Sequence, residues 1–409
     1  GQHLLPGMID DQVHFREPGN GLKGTIASES AAAVAGGITS FMEMPNTSPP
    51  TLTIDALNQK YALAGGKSLA NYAFYMGTSN DNLQDILSLK PGDACGIKIF
   101  MGASTGNMLV DNPDTLARIF ADAPILVATH CEDTPTILRN EARYREQYGE
   151  EVPFSEHPNI RSEEACYLSS SLAVELAKTH GTRLHVLHLT TEKELSLFDA
   201  GPLTDKRITG EVCVHHLWFD ERDYADKGAL IKCNPAVKKP SDRDALRAAV
   251  KNDVLDVIAT DHAPHTWEEK QGSYFNAPAG LPLVQHALLS LLDLVHQGVF
   301  TLEQVVHKTS HAVAECYGVV DRGYLREGYC ADLVLVDLDA GTEVTKESLL
   351  YKCGWSPFEG HRFQSRIATT IVNGNVVGME TRLMPMCLGS GCSSGRASDI
   401  TFIAPGPYK

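Results

Sequence analysis

No stretch of this chain reaches the roughly 18 consecutive apolar residues that a membrane helix needs, so a spanning protein is not expected. The start, Gly1 to Gly7, lacks a basic head followed by an apolar core, and no secretory leader is expected there. Basic residues are scarce: 35 Lys and Arg stand against 51 Asp and Glu, a formal net charge of -16. Nucleic acid and anionic membrane surfaces are bound through clustered Lys and Arg, so both are poor partners for such a chain. An anionic small molecule would have to be caught by a few local positive groups. Regular cysteine spacing is also missing. The ten cysteines are scattered, and Cys131, Cys213 and Cys233 sit in or beside apolar runs, where a thiol behaves as a small hydrophobe. A reducing cytoplasm suits that usage better than a disulfide framework.

What is present is enough apolar material for a large core: 43% of 409 residues. Short apolar runs recur at Met8–Phe15, Ile38–Met44, Tyr72–Met76, Gly96–Met101, Ile125–Thr129, Leu184–Leu189, Ile208–Val214 and Val254–Ala259. Helix-length segments with apolar residues at helical spacing separate them, among them Thr25–Ala35, Ile54–Ala64, Asp114–Ala121, Glu163–Lys178 and Asp242–Val250. Strands alternating with helices mean a parallel sheet, and eight strands close a barrel. An open doubly wound sheet would gather its chemistry at one switch point. Here polar residues end nearly every run: His14, Glu43, Lys98, His130, His188, His215 and Asp261. The expected fold is therefore α/β, a (β/α)8 TIM-like barrel over residues 6–325. Two more helices (Leu283–Gln297, Leu302–Tyr317) precede strand-like runs at Ala331–Val336 and Ile367–Val372, read as a small β appendage over residues 326–380. Residues 381–409 read as an irregular or disordered tail. Its stretch Leu388–Arg396 is of linker type, and Cys387 and Cys392 are too weak a pair for a metal knuckle.

In the first run, alternation puts Asp10, Gln12, His14 and Arg16 on one strand face and Val13 and Phe15 on the other. A barrel mouth and a half-exposed edge strand explain that row equally well. Lys98 stands alone among apolar residues in Gly96-Ile97-Lys98-Ile99-Phe100. A buried ammonium is costly unless paired or neutralised, and carboxylation by carbon dioxide would make it an anionic ligand able to bridge two metals. Taken alone, an ion-paired Lys accounts for it as well. His14, His130 and His188 close three different runs, which moves the balance from structural histidines to metal ligands. His185, on the opposite strand face from His188, reads as structural. The most specific string is Ala259-Thr260-Asp261-His262-Ala263-Pro264-His265, followed by Lys270. There Asp261 could both ligate a metal and accept a proton from its water.

Together these strings resemble the dihydroorotases of the amidohydrolase superfamily, from about Pro6 to Val377. The family's Ala/Gly-Ser/Thr-Asp-x-Ala-Pro-His signature, with a Lys after four more residues, is met in full by Ala259 to Lys270. The resemblance implies hydrolysis of a cyclic amide by metal-activated hydroxide, interconverting dihydroorotate and N-carbamoyl-aspartate in pyrimidine biosynthesis. It implies His14, Lys98, His130, His188 and Asp261 as zinc ligands, Lys98 carboxylated, with Asp261 also the catalytic base. It places Arg16, Asn46, Asn234 and His265 around the substrate, with backbone groups of Ala279 and Gly280 facing the pyrimidine ring. Arg16 separates this group from hydantoinases and allantoinases, whose substrates lack the carboxylate it would clamp. Expected partners are the small-molecule substrate and, at most, further copies of the chain as a homo-oligomer.

The chain departs from its relatives in two places. Their first signature, Asp-x-His-x-His-x-Arg, reads here Asp10-Asp11-Gln12-Val13-His14-Phe15-Arg16. An amide oxygen is a poorer zinc ligand than imidazole, so one zinc is expected to bind tightly and a second weakly or not at all. The first strand also begins almost at once, where the family usually carries a longer segment forming half of the appendage. A hydantoinase-like hydrolase, and a metal-poor homologue serving as a structural partner, are the alternatives.

Overall fold

The computed structural model describes residues 1–102, 108–379, 382–383 and 398–402. The low-complexity stretch, with Cys387 and Cys392, lies outside the described residues.

The apolar runs form strands and the segments between them form helices with ordinary caps. Thr25, Thr53, Asn112, Asp133 and Ser162 each accept a backbone N–H of the first turn that follows, satisfying donors a helix start leaves open. Strands β1 (Gln2–Pro6) and β2 (Met8–Val13) open the chain, followed by β3 (Ile38–Glu43), β4 (Asn71–Phe74), β5 (Met76–Gly77) and β6 (Ile97–Phe100). Then come β7 (Val127–His130), β8 (Leu184–Val186), β9 (Ile208–Cys213) and β10 (Val257–Ala259). β2, β3 and β4 pair in parallel, as do β5 through β10 in order. β4 and β5 are two parts of one extended run interrupted at Tyr75, which joins the two sheets. The ring closes where Val13 bridges His262 in parallel and the His14 N–H donates to the His262 carbonyl at 2.7 Å. Eight strand positions result, as the alternation of the sequence predicts.

Alternation along β2 is broken. Its register against β3 shifts between Asp10 and Val13. Asp10 therefore does not join the polar row of Gln12, His14 and Arg16; it accepts from the Thr260 N–H (3.1 Å) and hydroxyl (2.6 Å), tying β2 to the end of β10. Asp11 turns into the barrel interior, 3.3 Å from His185 Nε2 and accepting from the Tyr317 hydroxyl at 2.8 Å. Glu211 stands 3.6 Å from the same imidazole nitrogen. All three are wholly buried, and His185 faces the barrel interior, as His188 does, because β8 ends at Val186 and the left-handed backbone at His188 breaks the expected alternation.

The helix expected from Leu283 starts at Ala287, because the backbone N–H groups of Leu283 and Val284 are directed at the His262 ring instead. The Leu302–Tyr317 segment is helical throughout but passes through a π turn at His307–His311. After the barrel, β11 (Leu333–Asp337), β14 (Arg366–Val372), β15 (Asn375–Met379) and β16 (Arg382–Leu383) form an antiparallel sheet, with a small separate pair β12 (Thr342–Glu343) and β13 (Arg362–Phe363). The appendage is not only C-terminal. β1 pairs antiparallel with β11, Gln2 opposite Asp337, and supplies its first strand. Within the tail, residues 398–402 lie against the barrel: Ile400 is buried, and its N–H donates to the Tyr72 carbonyl at 2.9 Å.

Candidate active site

A cavity of about 390 Å³ opens at the carboxyl ends of the barrel strands. All eleven site residues named from the sequence line it: His14, Arg16, Asn46, Lys98, His130, His188, Asn234, Asp261, His265, Ala279 and Gly280. So does Gln12. Three of these residues, Arg16 (φ 72°), His188 (φ 40°) and Asp261 (φ 50°), hold left-handed backbone that a non-glycine residue adopts only at a cost. That strain turns side chains at strand ends inward over the barrel axis.

On one side, His130 Nδ1 faces His188 Nε2 at 2.9 Å. His130 Nε2 lies 2.9 Å from Glu132, and Arg161 donates to the same carboxylate oxygen at 2.6 Å. Burial works against the Glu132 charge, but Arg161 and His130 outweigh it and hold the carboxyl down at about 2. An ionised Glu132 only accepts, so it fixes the His130 proton on Nε2 and leaves the Nδ1 lone pair aimed at His188. Burial keeps both imidazoles neutral, His188 well below its ordinary pKa. The Lys98 amine sits 4.8 Å from the centre of the Phe100 ring, and among the described residues it meets no hydrogen-bond or ion-pair partner. Burial pushes its pKa down to about 8.

Across the cavity, His14 Nδ1 meets Asn46 Oδ1 at 2.8 Å and His14 Nε2 meets Asp261 Oδ1 at 3.1 Å. With Asn46 as acceptor, the His14 proton lies on Nδ1, and an imidazole lone pair then faces a carboxylate lone pair. Gln12 Nε2 donates to the same Asp261 oxygen at 3.1 Å. Gln12 therefore takes the place of an imidazole but offers Asp261 a donor.

At the His14–Asp261 contact two lone pairs face each other, a repulsive arrangement that a cation between them resolves. The donor set, neutral imidazoles with carboxylate oxygen, is the chemistry zinc takes. Glu132 behind His130 is the outer carboxylate that orients a ligating imidazole. These residues fit a metal.

The third wall is cationic. Arg16 Nε donates to the Pro264 carbonyl at 3.0 Å, and its Nη2 lies 3.2 Å from His265 Nε2. Asn234 Oδ1 is buried and, among the described residues, meets no hydrogen-bond partner. The segment at Pro278–Gly280 is shaped from behind by Lys270, whose ammonium donates to the carbonyls of Pro278 (2.8 Å) and Gly280 (3.0 Å). The Gly280 N–H is also engaged, by the Lys232 carbonyl at 2.8 Å. What Gly280 contributes is its missing side chain: at φ 141° a Cβ would run into the Ala263 carbonyl. Sequence reasoning gave no role to Glu132, Arg161 or Lys23; Arg161 and Lys23 meet their partners far along the chain. The one available signal was Glu132, two residues beyond a strand-end histidine.

The Amidohydrolase family model matches residues 3–377. The chain belongs to the amidohydrolase family. This amidohydrolase is 35% identical to a dihydroorotase of Halobacterium salinarum over 91% of its own length and 86% of the relative's. It is 34% identical to a dihydroorotase of Pyrococcus furiosus over 94% of its own length and 83% of that protein's. Its backbone matches an L-hydantoinase (dihydropyrimidinase) from Arthrobacter aurescens with a TM-score of 0.89 at 25% identity, covering 98% of this chain and 89% of the other.

Proposed function

We infer that this amidohydrolase is a dihydroorotase, opening the cyclic amide of dihydroorotate to N-carbamoyl-aspartate and closing it in reverse. The observation that carries this reading is Arg16, a half-buried guanidinium facing the same cavity as Asp261 and the three histidines. Dihydroorotate carries a ring carboxylate for it; hydantoin and allantoin do not. The dihydroorotase relatives support the same choice.

Lys98, His130 and His188 would hold a zinc tightly, with Lys98 as a carbamate. At a pKa of about 8 a useful share of Lys98 is free amine, whose nitrogen adds to carbon dioxide and releases one proton. His14 and Asp261 would hold a second zinc weakly, since Gln12 replaces an imidazole beside them. Bound metal supplies Lewis acidity and lowers the pKa of water to about 7. The protein's own part is positional. Arg16 and His265 receive the ring carboxylate, and Asn234 Oδ1 accepts a ring N–H. Asn46 fixes the His14 tautomer through Oδ1 and keeps its amide N–H groups for the substrate. Asp261 accepts the proton of the attacking water and delivers it to the departing ring nitrogen. We place the enzyme in the cytoplasm, a setting that suits eight described cysteines, all unpaired.

A panel of dihydroorotate, dihydrouracil, hydantoin and allantoin on the zinc-loaded protein and its Arg16→Met variant tests the reading. Dihydroorotate should be preferred, and the variant should lose about 2–5 kcal/mol of kcat/KM on it alone. Preference for hydantoin or allantoin, or equal loss on charged and neutral rings, would overturn it.

A further inference from the structure

The loop between β2 and the helix Ile26–Ala35 carries Lys23 to the cavity rim. Lys23 Nζ lies 3.1 Å from His265 Nδ1 and 2.9 Å from Glu269 Oε1. On the other edge of the ring, His265 Nε2 lies 3.0 Å from the Ala279 carbonyl and 3.2 Å from Arg16 Nη2. An ammonium has protons and no lone pair, so a hydrogen bond from Lys23 requires Nδ1 to be the accepting nitrogen. The Ala279 carbonyl only accepts, so it too requires the proton on Nε2. Burial comes first among the causes that hold this ring neutral, with the charges of Arg16, Lys23 and Lys270 adding to it.

We propose that Lys23 is a positioning residue that selects the Nε2–H tautomer of His265 and so keeps the Arg16 guanidinium free for an anionic oxygen. In that tautomer the Nε2 proton goes to the Ala279 carbonyl. Arg16 Nη2 then faces a protonated nitrogen that cannot accept from it, and its own proton is available to a carboxylate. In the opposite tautomer Nδ1–H faces the Lys23 ammonium, donor against donor, with the nearest Glu269 oxygen 3.7 Å away. The Nε2 lone pair then accepts from Arg16 and ties up that donor, while the Ala279 carbonyl loses its own. Glu269, which also caps the short helix Trp267–Lys270, holds Lys23 in place. The role of Arg16 as carboxylate site rests on the dihydroorotase reading; the tautomer assignment does not.

The test uses the full chain with 15N-labelled histidine, His265 being assigned by loss of its signals in His265→Gln. In the free protein the His265 ring should give a protonated Nε2 and an unprotonated Nδ1. Lys23→Met should mix the two tautomers, and Lys23→Arg should restore the single one. With substrate, KM should rise about tenfold in Lys23→Met, the loss of about one charge-assisted hydrogen bond, with a smaller change in kcat. A protonated Nδ1 in the unaltered protein would overturn the proposal. So would a Lys23→Met variant whose KM rises with its tautomer unchanged, which would make Lys23 a direct substrate contact. If dihydroorotate is not turned over while the tautomer still follows Lys23, the substrate reading fails and the Lys23 assignment stands.

Discussion

Two polar clusters share the inside of this barrel, and they are built from the same residue types at similar burial. On the floor, Asp11 and Glu211 flank His185, with ligand atoms within 4.8 Å of one another. At the mouth, Asp261 and His14 face His130, His188 and Lys98. The floor sets one base between two acids. Burial opposes a charged His185, but Cys316, Asp11 and Glu211 together hold its pKa well above the ordinary value, so an imidazolium lies between carboxyl groups. The mouth is mismatched, with lone pair facing lone pair and an amine that has no partner among the described residues. Buried polar clusters are thus not equivalent. We read the floor as architecture and the mouth as the place for the proposed cation and substrate.

Breaking the mouth should cost function most. Lys98→Ala should lose its metal on dialysis and turn over on the order of a thousandfold more slowly, since the lost metal carries several kcal/mol of transition-state stabilisation. Short carboxylic acids should restore part of both; metal content at the wild-type level would remove Lys98 from the ligand set. Breaking the floor should cost stability instead. Asp11→Asn leaves a buried imidazolium under-compensated and should lower the unfolding free energy by about 3–5 kcal/mol in a denaturant titration, with metal content kept. A loss of metal without a loss of stability would reverse the assignments of the two clusters.

A finer change should make the mouth match better. Gln12→His replaces a donor to Asp261 with a fourth imidazole, so zinc retained through dialysis should rise from about one to about two per chain. Two metals held by the unaltered protein would mean that Gln12 is no handicap. The smallest effect concerns the cation behind Pro278–Gly280. Burial, and secondarily Lys232, pushes the Lys270 pKa down to about 7. Between about 7 and the ordinary lysine value the unfolded chain binds more protons than the folded one, so this group's contribution to stability rises with pH across that window. The pH profile of wild-type stability should therefore climb relative to that of Lys270→Met between neutral and alkaline pH. Parallel profiles would count against a depressed lysine pKa at this position.

Much of this was legible in the amino-acid sequence because the costs are local. A lysine between isoleucines, His14, His130 and His188 closing separate apolar runs and an Asp-x-Ala-Pro-His string are each expensive or improbable without a use, and all of these reach one cavity, while His215, which also closes a run, does not line it. The exceptions have long-range causes. A period-two pattern puts Asp10 in the row of Gln12 and His14 and Asp11 on the other face, and the register shift against β3 instead sends Asp10 to Thr260 and Asp11 to His185. Glu132 gains its role from Arg161, and Lys23 gains its role from His265, partners that no local periodicity points to. β1 is five residues long, and its pairing lies at the far end of the barrel's sequence.

That pairing of β1 has a consequence for how the molecule is made. At about 5–20 residues per second, a ribosome needs tens of seconds to travel from Gln2 to its partner Asp337. Throughout that interval the eight barrel strands can assemble in order, while β1 waits with its backbone groups unpaired and Leu4 and Leu5 uncovered. It is the exposed edge against which nascent chains aggregate. The pairing of Gln2 with Asp337 closes a loop that contains all eight barrel strands, so the first strand of the appendage is fixed only by chain made long after it.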